Sequence, residues 1–569
     1  MLSITKSDST INQCIQNLQN RFDIIGTVDF RIAPRPNLTE ISLQLRSLYQ
    51  ESYKDNQRII VVLDQDISAD HPAGLILQSI QSIVNDVDIS NFFIELVTTN
   101  PNIETEYQWV LTNISTDSIP ININLCAGMY SLLPETENGV KFSKYTKYQS
   151  TENFKNLNKT QLDLVTTQPF FCMAPWTHMM VAPNNRVTPC CTSKLLLGDS
   201  SKTSLKEIWN SERYRKMRLD MLAGKPIESC QSCYSNEAVG KDSLRQSINR
   251  SMGHRVGKIE LTDATGHVEP FELNYFDSRF DNLCNLSCRS CNPTYSSSWH
   301  DVAVKINMID QSQPVMLYAG RTPSDIFEQI MEHIDYIDKI YFAGGEPLIN
   351  EQLWKILDEL DRRERYDVEL TYNTNFTRTQ YRGRSIFPIW NKFSKVSVGA
   401  SLDSEGARGE YLRSGTKWDK IIKNRQEMLD QCPQTDFYIA STVNLMNALH
   451  LPDFHRSWVD AGLIQPDEFD VKLLFTPEYM RVDSAPPELK EQIQIKYRAH
   501  LDWLIPLDRL GRATNGFESV LDYIETDRTF DPELFWKEIE RLDQYYNTNL
   551  LEVFPELECL TRNSNSVII

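Results

Sequence analysis

Between residues 270 and 480, short apolar runs alternate with longer amphipathic ones. FELNYFDSRF, KIYFAGGE, VELTYNTN, KVSVGASLD, FYIASTVN and FDVKLLFTP are rich in β-branched and aromatic residues and break off in small or polar ones, so they read as six strands. SDIFEQIMEHI, EQLWKILDELDRR, WDKIIKNRQEMLDQ and LHLPDFHRSWVDAG carry apolar residues at helical spacing. Such alternation predicts parallel β/α units. Six strands suggest a barrel or partial barrel, whose site lies at the C-terminal strand ends.

The flanks read differently. QRIIVVLDQDIS, NFFIELVTT and IPININL predict strands near the N-terminus, with a helix over HPAGLILQSIQSIVNDV. We read residues 1–160 as an α/β domain. The pair Asp64 and Asp66 follows a strand, and is read as structural rather than as a metal-dependent glycosyltransferase motif. In residues 161–262, THMMVAPNNRVTPCC predicts a hairpin turning at Pro183-Asn184-Asn185. SLKEIWNSERYRKMRLDMLAGK predicts one helix, opened by a Ser204/Glu207 capping box and stopped at Gly224. Its Leu205, Ile208, Trp209 and Met217 read as a packing stripe. After residue 480, ELKEQIQIKYRAHLDWLI and PELFWKEIERLDQYY predict a helical tail.

The 569 residues imply several domains. No run of 18 apolar residues offers a membrane span, and MLSITKSDST does not read as a signal peptide, so a cytoplasmic location is expected. The net charge of −19 disfavours a nucleic-acid partner. The 12 cysteines are then expected to be reduced, and clustered ones read as metal or redox sites. Cys14, Cys126, Cys432 and Cys559 are scattered and read as small buried hydrophobes. Cys191 is read as a strand residue in preference to an alternate ligand or a proton or hydrogen donor to a substrate radical, and His178 as structural.

Cys284, Cys288 and Cys291 form C-x3-C-x2-C just after the strand FELNYFDSRF. Three thiolates can ligate three irons of a cubane cluster and leave the fourth open; a structural zinc wants four ligands. The next strand ends in Gly344-Gly345-Glu346-Pro347, where glycines allow close backbone approach and Glu346 can accept from an ammonium. Later strands end in Asn373-Thr374-Asn375 and Ser401-Leu402-Asp403, with short polar side chains suited to ribose hydroxyls, and Arg413 can fork onto a carboxylate. Amine, carboxylate and ribose are the groups of S-adenosylmethionine (SAM).

In this order of motifs, residues 270–480 resemble the radical SAM superfamily. The resemblance implies a [4Fe–4S] cluster on Cys284, Cys288 and Cys291 whose open iron is chelated by SAM. It implies reductive cleavage to a 5′-deoxyadenosyl radical, and hydrogen abstraction from a substrate. Gly344, Gly345, Glu346 and Pro347 would serve the SAM amine region, Ser401, Asp403 and Asn375 the ribose, and Arg413 the carboxylate. One departure is Ser290, where the family usually has an aromatic residue packing near adenine.

A second set comprises Cys172, Cys190, Cys230 and Cys233. Four thiolates can close a zinc site or a [4Fe–4S] cluster, and spacing alone leaves both open. CxxPW, a hairpin ending in PCC, the SLKEIWNS helix and a closing CxxC resemble the auxiliary-cluster segment of SPASM/twitch proteins. That implies one auxiliary [4Fe–4S] cluster on these four cysteines. Here the segment precedes the barrel, as in twitch-containing radical SAM proteins of bacteriophages and some bacteria. The expected architecture is an N-terminal α/β domain (1–160), an auxiliary-cluster domain (161–265), a TIM-like partial (β/α)6 radical SAM barrel (266–480) and a helical region (481–569). The implied substrate is a peptide or protein side chain, with the N-terminal domain as a substrate or partner module. The alternatives are a small molecule, sugar or nucleotide, or a non-catalytic iron–sulfur or zinc scaffold. A low-potential flavodoxin or ferredoxin would be the electron donor.

Overall fold

The computed structural model describes residues 154–238, 242–508, 511–526 and 528–560 and, before them, four strands. The chain divides into two compact units, Met1–Cys172 with Asp242–Val256, and Met173–Lys241 with Gly257–Ile569.

In the first unit, β1 (Ile24–Asp29), β2 (Arg58–Leu63), β3 (Phe93–Thr98) and β4 (Ile121–Leu125) pair in chain order, all parallel. Three are the strands read from the sequence; β1 was not foreseen. The helix read from HPAGLILQSIQSIVNDV lies outside the described residues, as do Asp64, Asp66, Cys14 and Cys126. Nearer Cys172, helix Lys159–Thr166 opens on an Asn158 capping box. Helix Leu244–Met252 joins it: the Asn249 amide donates to the Val165 and Phe171 carbonyls at 2.9 and 3.1 Å.

The second unit is built on a nine-stranded sheet. Its strands are β5 (His178–Val181), β6 (Arg186–Thr188), β7 (Gly198–Asp199), β8 (Tyr275–Ser278), β9 (Lys339–Phe342) and β10 (Glu369–Thr374). A small antiparallel ladder, β11 (Gln380–Tyr381) with β12 (Arg384–Ser385), stands apart. The sheet continues with β13 (Val396–Ala400), β14 (Asp436–Val443) and β15 (Phe469–Leu473). The order is β15-β14-β13-β10-β9-β8-β5-β6-β7. The six strands from β8 to β15 are parallel and in chain order. Helices Asp325–Met331, Glu351–Arg362, Trp418–Gln431 and Leu451–Asp460 fall between them along the chain, where periodicity put them.

Four features correct the sequence reading. First, the cysteine-rich hairpin is not walled off from the β/α run. β5 pairs in parallel with β8, His178 opposite Tyr275, so the hairpin extends the same sheet. An edge strand leaves a row of unpaired backbone groups, and β5 satisfies those of β8. Second, the helix over 204–224 is two, Leu205–Trp209 and Glu212–Leu222. Asn210 leaves the helix to bond Val268 on both backbone sides, and Arg218 Nη2 donates to the freed Trp209 carbonyl at 2.8 Å. The capping box and the Gly224 stop, at φ +65°, are present. The stripe Leu205, Ile208, Trp209 and Met217 is buried. Third, Cys191 lies beyond the end of β6. Pro189 has no N–H to continue the ladder, and Thr188 Oγ1 donates to the Cys190 carbonyl at 2.9 Å to turn the chain. Fourth, Cys559 is exposed, whereas Cys432 is buried as expected.

The tail is packed into this unit. Helices Pro487–Leu504 and Pro532–Tyr546 were read from the sequence; helix Arg512–Ile524 was not. The last lies against β15 so closely that a Cβ on Gly516 would sit 2.8 Å from the Val471 nitrogen. No helix among the described residues is long and apolar enough to cross a membrane.

Candidate iron–sulfur and cofactor site

The loop after β8 is held by its backbone. Ser287 N donates to the Ser414 carbonyl at 3.0 Å, and Arg289 N to the Leu412 carbonyl at 2.9 Å. Trp299 Nε1 closes on the Cys288 carbonyl at 2.8 Å, and Ser298 Oγ on that of Cys284 at 2.7 Å. Arg289 is buried inside the loop, stacked 3.7 Å over the Tyr411 ring. It donates to Asp543 at 2.6 Å and Thr548 at 2.8 Å on the C-terminal segment. A segment tied at this many points presents its side chains in one arrangement.

The strand ends named from the sequence converge on this loop. Glu346 N donates to the Leu283 carbonyl at 2.7 Å. A Cβ on Gly345 would lie 2.1 Å from the same oxygen, so only glycine fits there. Asn375 Nδ2 points at Cys284 Sγ (3.9 Å) and Arg413 Nη1 at Cys288 Sγ (3.7 Å). Burial pushes the thiols of Cys284 and Cys291 up to about 12, and raises that of Cys288 against the pull of Arg413. Left alone they stay thiols; a cationic group bound between them is what makes thiolates here. Three soft donors, with N–H groups already aimed at two of the sulfurs, fit an iron–sulfur cluster.

Several side chains are engaged otherwise than the sequence suggested. The Asp403 carboxylate, read as a ribose contact, grips Arg413: Nε–Oδ2 is 2.8 Å and Nη2–Oδ1 is 3.0 Å. It also accepts from Thr442 N at 2.8 Å. The Arg413 fork, read as a carboxylate receptor, is therefore already half filled. Glu346 is buried. Its Oε1 accepts from Leu348 N (3.0 Å) and Thr374 Oγ1 (2.7 Å), its Oε2 from Asn375 N (2.7 Å), which leaves one acceptor position on Oε2 for an ammonium. Burial pushes its pKa up to about 7 against these three donors. Asn375 also donates to Asn285 (3.0 Å) and accepts from Thr377. Pro347 opens the turn Pro347–Ile349 that leads into helix Glu351–Arg362. Ser401 binds the Thr374 carbonyl through its own N–H at 2.7 Å.

In the second set, Cys190, Cys230 and Cys233 lie within electrostatic reach of one another. The Cys230 thiol is pushed up to about 12 by burial and then by the other two. Cys172, the expected fourth ligand, ends the first unit. Burial pushes the Cys191 thiol up to about 12, and it interacts with Asp277, Cys190 and Arg279. His178 is buried, bonded to the Tyr275 carbonyl at 2.9 Å and stacked on the Tyr275 ring, a structural role as expected. Among the described residues no three His, Cys, Asp or Glu side chains converge on the radius of a single metal ion.

Sequence reasoning missed Asp277 and Arg279. The signal was strand parity, which puts Asp277 on the same face as Tyr275, with Arg279 just past the strand. It also missed Arg289 with Asp543, 254 residues apart, for which the sequence carries no signal.

Residues 172–234 match the family model SPASM, an iron–sulfur cluster-binding domain. This segment is of SPASM type. The match begins at Cys172 and takes in Cys190, Cys230 and Cys233, the four cysteines read from the sequence as the auxiliary set. Among solved structures, the chain is similar to native anSMEcpe with bound AdoMet and the Kp18Cys peptide. That similarity stands at 16% identity and a TM-score of 0.30, over 42% of this chain and 62% of that one. Native anSMEcpe with bound AdoMet is similar at 16% identity and a TM-score of 0.29, over 45% of this chain and 63% of that one. The chain thus spans less than two thirds of the length of the structures it matches. No protein of curated function matches it.

Proposed function

We propose that the chain is a radical SAM enzyme with one auxiliary cluster, acting on a peptide or protein side chain. A [4Fe–4S] cluster on Cys284, Cys288 and Cys291 would supply the electron that splits SAM into methionine and a 5′-deoxyadenosyl radical, which removes a substrate hydrogen. The observation that carries this reading is convergence: Gly345, Glu346 and Asn375 from successive strand ends, and Arg413 from the end of helix Gly406–Leu412, all reach the three-cysteine loop. A zinc scaffold has no use for them.

The chain's own residues have distinct tasks. Arg413, oriented by Asp403, holds a positive charge against Cys288 and favours its thiolate. Asn375 donates toward Cys284. Glu346 locks β9, β10 and the loop together and keeps one acceptor position for the SAM ammonium. Ser401 stands at the end of β13 for the ribose. The SPASM segment would hold its cluster through Cys172, Cys190, Cys230 and Cys233, and a flavodoxin or ferredoxin would deliver the electron. The peptide class follows from the SPASM/twitch resemblance.

Anaerobic reconstitution tests the proposal. It requires about eight irons per chain, as two [4Fe–4S] clusters, and release of 5′-deoxyadenosine on reduction with SAM. Bound zinc with intact SAM would overturn it.

A further inference from the structure

Arg279 directly follows β8 and has no task in the chemistry above. Its guanidinium is fixed in direction. The Asp277 carboxylate, only 1% exposed, accepts from Nε at 2.9 Å and from Nη2 at 3.2 Å. One edge is thereby closed. Among the described residues the Nη1 end has no hydrogen-bond partner, and the side chain as a whole is 18% exposed.

Its surroundings place it beside both cysteine sets. A Cβ on Gly344 would lie 3.3 Å from the Arg279 Cα, and Gly344 belongs to the strand end that meets the three-cysteine loop. On the other side Arg279 acts electrostatically on Cys191, the neighbour of Cys190, and on Tyr341. A phenol and a thiol do not offer the paired oxygens that a guanidinium fork takes. The free edge therefore calls for a planar anion from outside the chain.

We propose that Arg279, positioned by Asp277, binds a carboxylate of the substrate, which is a peptide carrying Asp, Glu or its own C-terminus near the hydrogen removed. This rests on the radical SAM reading and adds the substrate class. SAM is the other source of a carboxylate. The substrate is favoured because Arg279 interacts electrostatically with Cys191, which lies in the SPASM segment rather than in the three-cysteine loop.

The test uses reconstituted holoenzyme and two matched pools of perdeuterated octapeptides, one containing Asp and Glu, the other Asn and Gln with amidated C-termini. Deuterium in 5′-deoxyadenosine reports abstraction. A charge-assisted pair implies about tenfold or greater preference for the acidic pool. Arg279→Gln should bring the ratio to about one, and Arg279→Lys should restore part of it. The double variant Asp277→Asn, Arg279→Gln removes the buried pair together, guards against misfolding around a lone carboxylate, and should show the same lost preference. Equal transfer from both pools, or none from either while SAM is cleaved, overturns the inference and leaves the radical SAM reading standing. A drop of tenfold or more in SAM affinity in Arg279→Gln assigns the carboxylate to SAM and overturns it too. If the wild type releases no 5′-deoxyadenosine, the underlying reading fails and the inference with it.

Discussion

Asp403 and Arg413 make two short contacts, at 2.8 and 3.0 Å, with the carboxylate 2% and the guanidinium 13% exposed. Removing one partner of a buried pair strands the other charge and costs about 3–5 kcal/mol. Asp403→Asn, which keeps the shape of the side chain, should therefore lower the holoprotein's unfolding free energy, read from urea denaturation, by that amount. Gly345 is constrained differently. A methyl group there would meet the Leu283 carbonyl at 2.1 Å, and backbone cannot step aside cheaply. Gly345→Ala should leave the SPASM segment loaded and empty the three-cysteine loop, so that reconstituted iron falls from about eight to about four per chain. At this scale the sequence named the right neighbourhood and missed the pairings. It located Glu346, Asn375 and Asp403 at strand ends, because glycines and short polar residues interrupt apolar runs there, and Arg413 in the segment that follows. It assigned each to a ligand, because a linear text does not reveal that Asp403 is spoken for by a guanidinium ten residues on.

Elements were the most legible level. The six strands from β8 to β15 are rich in aromatic and β-branched residues and break off in small or polar ones, and burial on one face or both makes such runs legible. What periodicity does not encode is which edge accepts a neighbour, so the pairing of β5 with β8 could not be read. Helix Pro532–Tyr546 is the other surprise: it is obvious as a helix, but its tie to the cluster loop runs through Asp543 and Arg289. With Asp543→Asn, a guanidinium that is 1% exposed loses its counter-charge. The expected result is a loop that opens more often. It should appear as faster loss of the Cys284 cluster's visible absorbance under an anaerobic chelator, with unchanged SPASM-segment iron.

The whole molecule carries a pH dependence through its buried histidines. Burial lowers His455 to about 3 and His333, His450 and His500 to about 4, each from an ordinary 6.5. His455 Nδ1 and His500 Nε2 are 3.0 Å apart, between Phe469 and Phe517. Between about pH 6.5 and 4 the unfolded chain binds protons that the folded one refuses, so stability rises with pH in that window and is lost as pH falls through it. Thermal midpoints from pH 7.5 down to 5.5 should decline, and His455→Asn should decline less steeply than wild type.

The joining of β5 to β8 has a consequence for electron flow. β8 runs directly into the Cys284 loop, and the hairpin that starts at β5 ends at Cys190. Neighbouring strands lie about 4.8 Å apart and are stiff along their length. Under the proposed function, the clusters on Cys284 and Cys190 would follow β8 and β6, two strands apart in one sheet with β5 between them, so the tunnelling path between these sulfurs would be a length set at folding, insensitive to substrate entry or to loop motion elsewhere.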